Sequence, residues 1–230
     1  MTRYLLNTLP NTGSTWLGDI VGRALRDHGH GDYHLEFFNP AQNEPLESEL
    51  AERFGCEIIS CYRNIATWGG PLLAAHIREL WPARLVFTKE VFSPLKLDAF
   101  VAAGFRCAVL RRYTDGVFPP KRGRVWAFYE ALYFSLEAEE LVSFRTRPST
   151  MRERARAAHA YATRRMENDA FLLDVPIIRY ADLFADEATI SRALRPWGLP
   201  PDVERQVVRE IIATRVAKQG ELVGATIDAP

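Results

Sequence analysis

The sequence predicts an α/β fold, a central parallel sheet flanked by helices in three layers. Three observations predict it. Short apolar runs at Tyr4–Leu9, Arg84–Thr88, Arg106–Leu110 and Val175–Tyr180 have strand length. Segments with helical spacing of apolar residues separate them, and strands that alternate with helices assemble into a parallel sheet covered on both faces. The first run also leads through a glycine-containing turn directly into a helix. At 230 residues the chain fits one domain, given about 100–200 residues per domain.

The elements follow in order. After the turn Asn11–Ser14, the apolar residues Trp16, Leu17, Ile20, Val21, Ala24 and Leu25 recur at i, i+1, i+4, i+5, i+8 and i+9, one face of a helix that the glycine-rich stretch His28–Asp32 ends. Residues 33–70 carry Asn39-Pro40, Glu44-Pro45 and Gly69-Gly70 and read as irregular surface with short helices, apart from one strand at Glu57–Cys61. A helix over Leu72–Trp81, the strand Arg84–Thr88, a helix near Leu95–Ala103 and the strand Arg106–Leu110 come next. Arg111–Arg124 is a basic, Pro/Gly-rich loop, and an aromatic helix spans about 125–144. Beyond Pro148 an arginine-rich helix carries the stripe Met151, Ala155, Ala158, Ala162 and Met166. The strand Val175–Tyr180 is followed by helices near Glu187–Arg195 and Pro201–Thr214, and then by a polar tail.

Composition excludes several classes. With 47% apolar and 25% charged residues the chain can bury a core and is neither disordered nor collagen-like. Lys plus Arg equals Asp plus Glu at 29 each, so the basic excess of a dedicated nucleic-acid binder is missing. Cys56, Cys61 and Cys107 form no CxxC pair, and the five histidines form no HExxH, so no structural zinc site is expected. The run before Asn7 is too short for a signal peptide, and no stretch approaches the roughly 18 apolar residues of a membrane span. The expectation is a cytoplasmic protein with no membrane span and no nucleic-acid partner.

A strand, a glycine turn and a helix form the layout of a phosphate cradle, because turn amides and the positive helix end both face an anion. The turn here is Pro10-Asn11-Thr12-Gly13-Ser14-Thr15. Laid on GxxxxGK[ST], Gly13 and Thr15 fit, but Thr8 replaces the first glycine and Ser14 the lysine, which breaks the nucleoside-triphosphatase form. With Trp16 added, the segment resembles the 5′-phosphosulfate loop, approximately PKSGTTW, of the sulfotransferase family, a P-loop-type fold. Two further blocks in the right order support the resemblance. Val109-Leu110-Arg111-Arg112-Tyr113-Thr114-Asp115 is similar to the family's strand ending in RNPRD. Ile178-Arg179-Tyr180-Ala181-Asp182-Leu183, followed by Leu194–Pro200, is similar to its RYEDL and FLGLP pair.

The resemblance implies a single sulfotransferase-like domain over 1–230, with acceptor-side insertions at 33–70 and 111–148. It implies transfer of a sulfuryl group from 3′-phosphoadenosine 5′-phosphosulfate (PAPS) to a hydroxyl or amine, with no metal. Asn11, Thr12, Gly13, Ser14, Thr15 and Trp16 would hold the donor's 5′ end, and Arg111 its 3′-phosphate. The departures are specific. The family's loop lysine is Asn11 here, its serine eight residues beyond the arginine is Pro119, and its KTH histidine position falls at Lys89 in Phe87-Thr88-Lys89-Glu90. Lys121, Arg122 and Arg124 stand near Pro119 as substitutes. The expected catalytic pair is Lys89 as the missing cation and Glu90 as the base. Both reach one site only if the strand ends by Thr88, because neighbours on a strand point to opposite faces. Two other readings stay open: a P-loop small-molecule kinase, and a degenerate, non-catalytic member of the fold. Trp126, Phe128, Tyr129, Tyr133 and Phe134 read as core, the arginines of 145–165 as a solvated face, and His76 and His159 as packing residues.

Overall fold

The computed structural model describes residues 1–9, 12–37, 74–75, 77–79, 81–91, 96–112, 129–130, 132–134 and 148–227. Five strands, β1 (Arg3–Thr8), β2 (Asp32–Leu35), β3 (Leu85–Glu90), β4 (Phe105–Arg111) and β5 (Ile177–Arg179), form one sheet in the order β2-β3-β1-β4-β5. Every neighbouring pair is parallel. The helices that accompany it include α1 (Ser14–Asp27), α2 (Leu97–Ala102), α3 (Met151–Leu172), α4 (Glu187–Leu194) and α5 (Pro201–Ile227).

Strand alternation divides the core between the two faces. Leu5, Cys107 and Val109 point to one face and pack with α2 and with Ala155, Ala158, Ala162 and Met166 of α3. Tyr4, Leu6, Ala108 and Leu110 point to the other, against α1, α4 and α5. The expected three-layer α/β arrangement is therefore present. α1 buries Leu17, Ile20, Val21, Ala24 and Leu25, as its spacing predicts, and stops where the His28 and His30 amides turn back to the carbonyls of Ala24 and Leu25. α3 opens on a capping box: the Thr150 hydroxyl accepts from the Glu153 amide while the Glu153 carboxylate accepts from the Thr150 amide.

The structure departs from the sequence reading in three places. β2 occupies residues read as the start of irregular surface; four residues at a sheet edge, half-exposed, are too few to show a period. The last helix continues to Ile227 where a tail was expected, since 215–227 is rich in helix formers such as Arg, Ala, Lys, Gln, Glu and Leu. β3 runs two residues past Thr88, with consequences at the site. The expected strand Glu57–Cys61, most of both expected insertions and most of the aromatic helix lie outside the described residues. Among the described residues no helix is long and apolar enough to cross a membrane.

Candidate functional site

β1 continues into α1 on one face of the sheet, whereas the chain leaving β4 returns through α3 on the other. Between two adjacent parallel strands whose connections part in this way, the carboxyl ends open a crevice, the usual ligand position in such sheets. β1 and β4 are that pair here. Thr8, the last residue of β1, fastens the crevice floor: its hydroxyl lies 2.5 Å from the Thr12 hydroxyl and 3.2 Å from the Leu110 carbonyl. Both threonines are buried.

Gly13 is the N-cap of α1, with φ +82° and ψ 12°. A side chain there would be strained, and its Cβ would stand 2.3 Å from Cε2 of Tyr180. Glycine is thus required by the backbone and by the Tyr180 ring. No side chain caps this helix end and its first turn holds no acid, so the positive end of α1 meets no competing carboxylate of its own. Ser14 is buried, Thr15 exposed, and Trp16 half-buried with its indole N–H donating to the Thr214 hydroxyl at 2.9 Å. Trp16 packs edge-on to Tyr180 and beside Phe184, so it ties α1 to α5 and to the 3-10 helix Tyr180–Phe184. The Arg112 guanidinium covers the same Tyr180 ring at 5.1 Å.

Arg111 closes the end of β4 on the opposite face, where its Nε meets the Glu167 carboxylate of α3 at 2.5 Å. Between the two arginines and the loop lies a recess of about 10 Å³, the room of one water, bounded by Leu9, Thr12, Leu110, Arg111, Arg112, His159, Thr163 and Met166. The structure therefore brings Thr12 of the loop together with Arg111. It adds Arg112, Tyr180, Glu167 and His159, none of which was singled out for the site from sequence. Tyr180 had a signal, since it stands in the block similar to RYEDL.

Lys89 and Glu90 do not share a face. Because β3 continues to Glu90, Lys89 stands beside Leu6 on the α1 side, its Cβ 3.1 Å from where a Gly18 Cβ would be. Its ammonium is ion-paired with Glu36, just beyond β2, whose backbone has φ +62°. Glu90 stands beside Asn7 on the other face, fully buried, and its carboxylate accepts the Thr88 hydroxyl at 2.7 Å. The condition for one shared catalytic pair, a strand ending at Thr88, is not met. Nothing in the sequence marks Glu36 as the partner of Lys89; it lies 53 residues away.

Burial pushes the Cys107 thiol pKa well up, so this residue packs as an apolar group. Pro10, Asn11, Pro119, Lys121, Arg122, Arg124, Trp126 and Phe128 lie outside the described residues. Tyr129 is buried in the core, whereas Phe134 is exposed. No protein-family model, no curated protein and no solved structure matches the chain.

Proposed function

We propose that the chain is a sulfotransferase that moves a sulfuryl group from PAPS to a hydroxyl or amine acceptor by in-line displacement. One observation carries this reading. At the switch point between β1 and β4, Thr12 of the loop that leads into α1 and the consecutive arginines 111 and 112 border one recess together with Thr163 and His159, and the start of α1 that follows this loop has no side-chain cap. Every one of those groups can donate a hydrogen bond, and two are permanently charged, which suits a ligand with several anionic oxygens.

In the reaction the acceptor oxygen or nitrogen forms a bond to sulfur as the bond from sulfur to the bridging phosphate oxygen breaks. Negative charge gathers on the departing phosphate, and the acceptor proton passes to a base. Phosphoryl transfer is the nearest template, with catalysis supplied by positioning and by donors placed where charge develops. The loop amides and Arg111 would hold the two phosphate-bearing ends of the donor. Glu90 is the proposed base, at the carboxyl end of the strand next to β1. Lys89 is engaged with Glu36, so the charge it brings to that edge of the sheet is already balanced.

The position of Glu90 also favours a second reading. A carboxylate at the end of the strand beside β1 is where a P-loop kinase would hold Mg²⁺, although Ser14 stands where that enzyme needs its lysine.

Thermal shift separates the two. Adenosine 3′,5′-bisphosphate at 100 times its dissociation constant should add about 2.7 kcal/mol, a rise in Tm of roughly 5–10 °C for this size. Arg111→Ala should lose this shift while keeping that of adenosine 5′-monophosphate, more so because the Glu167 carboxylate is then left facing the phosphate. A shift with ATP and Mg²⁺ but none with the bisphosphate would replace the sulfotransferase reading with the kinase one. Silence from both ligands would leave only a degenerate member of the fold. In the enzymatic arm, Glu90→Gln should keep bisphosphate binding and lower turnover at least about 100-fold. Unchanged turnover would place the base elsewhere.

A further inference from the structure

A cavity of about 330 Å³ opens at the other end of the sheet, where β4 and β5 begin. It stands at the small end of the range for small-molecule sites, roughly 300–1,000 Å³. The buried residues Phe105, Cys107 and Trp197 bound it, and Leu173 adds an apolar wall from the end of α3. The Trp197 ring is fixed, since its indole N–H donates to the Arg106 carbonyl at 3.0 Å. Two exposed side chains of opposite charge border the same cavity: Arg106 of β4, and Asp174 of the loop before β5. Among the described residues neither is ion-paired, with the other or with a third group. Arg106 commits one of its five N–H donors to the Gly198 carbonyl at 2.8 Å and stands beside the Tyr4 hydroxyl.

Asp174 is a poor choice for ending a helix. α3 closes in a Schellman motif: the Val175 amide donates to the Ala170 carbonyl at 2.8 Å, and the Asp174 amide to that of Phe171 at 3.4 Å. The residue just past the cap of such a motif is left-handed and usually glycine; here it is Asp174, at φ +54°. Its carboxylate also brings negative charge to the negative end of α3, where the helix dipole disfavours it. Helix termination therefore does not account for an acid here, and the cavity does. A purely apolar occupant would strip water from both charges and pair neither. An acid alone would set a second carboxylate beside Asp174, and an amine alone a second cation beside Arg106. We infer that this cavity is a binding site for a small zwitterion with an apolar body, a free amino acid with a large apolar side chain. Its carboxylate meets Arg106, its ammonium meets Asp174, and its side chain lies against Trp197. The site is at the opposite end of β4 from Arg111, so it does not depend on the sulfotransferase proposal.

The test titrates the full chain with three probes that share one ring: L-phenylalanine carries both charges, 3-phenylpropanoate the acid alone and phenethylamine the amine alone. In NMR, L-phenylalanine should move the Trp197 indole N–H resonance. It should bind about tenfold more tightly than either single-charge probe, the worth of one charge-assisted hydrogen bond. Arg106→Gln should bring L-phenylalanine down to the affinity of phenethylamine, and Asp174→Asn to that of 3-phenylpropanoate. Equal binding of the three probes to wild type overturns the inference, as does equal binding of L-phenylalanine to wild type and Arg106→Gln. A Trp197 resonance that no probe moves at millimolar concentration overturns it too.

Asp174→Gly separates binding from structure. Glycine takes the left-handed position without strain, so this variant should melt at or above the wild-type temperature and yet lose about tenfold in L-phenylalanine affinity. An unchanged affinity would return Asp174 to helix termination and overturn the inference. This variant decides the matter even if Arg106→Gln does not fold. Failure of wild type to bind adenosine 3′,5′-bisphosphate would sink the sulfotransferase proposal and leave this one standing.

Discussion

Gly13→Val is expected to cost about 2–5 kcal/mol of stability and to abolish the anion binding proposed for the start of α1. Two terms add. A non-glycine residue at φ +82° costs roughly 1–2 kcal/mol, more for a β-branched one. The side chain must also displace the Tyr180 ring, because Cβ would lie 2.3 Å from Cε2 and 2.9 Å from both Cζ and the hydroxyl. Overpacking of this kind costs about 1–3 kcal/mol. The ring has little freedom to yield: it is buried, with Arg112 on its face and Trp16 and Phe184 at its sides. Urea unfolding measures the sum, and a Tyr180→Leu background separates the terms. There, Gly13→Ala should cost only the backbone part, about 1–2 kcal/mol. If Gly13→Ala costs the same in both backgrounds, the ring is not what requires glycine at 13.

This explains why the turn was legible in sequence while its reason was not. A glycine between a strand and a helix marks a special backbone position, and the position was read correctly. Its immediate neighbour is a tyrosine 167 residues on, brought there by β5 beside β4, and no local pattern reports such a pairing. The order of strands and helices was legible for the same reason that α1 was: Leu17, Ile20, Val21, Ala24 and Leu25 carry a period that needs no partner to be seen. β2 was missed because its four residues, Asp32 to Leu35, are half polar and pair on one side only, with β3. The site followed the same rule. Thr12 and Arg111 stand in recognisable local motifs and meet across the crevice, whereas His159 gave only helical spacing, which every core histidine on a helix also gives.

Lys89→Met is expected to lower stability by about 3–5 kcal/mol, because it removes one partner of a buried ion pair and leaves the other charge unbalanced. For a chain of this size that is a fall of roughly 6–20 °C in Tm. Lys89 is 1% exposed and Glu36 13%, so solvent screens the pair little. Methionine keeps the stem that packs over Gly18, which confines the loss to the charge. Glu36 is further committed: its backbone holds φ +62° while its amide donates to the Lys89 carbonyl at 2.7 Å, so its carboxylate has little freedom to swing to water. Adding Glu36→Gln to Lys89→Met should therefore recover most of the loss, since both charges are then gone and the remaining amide is polar but neutral. A double variant as unstable as the single would show that the lysine is held by something other than this pair. The same proteins also test the catalytic role expected of Lys89 from sequence. With the double variant folded, sulfuryl transfer at the wild-type rate would make the pair purely structural, and a loss of turnover with bisphosphate binding intact would assign its ammonium to the leaving oxygen.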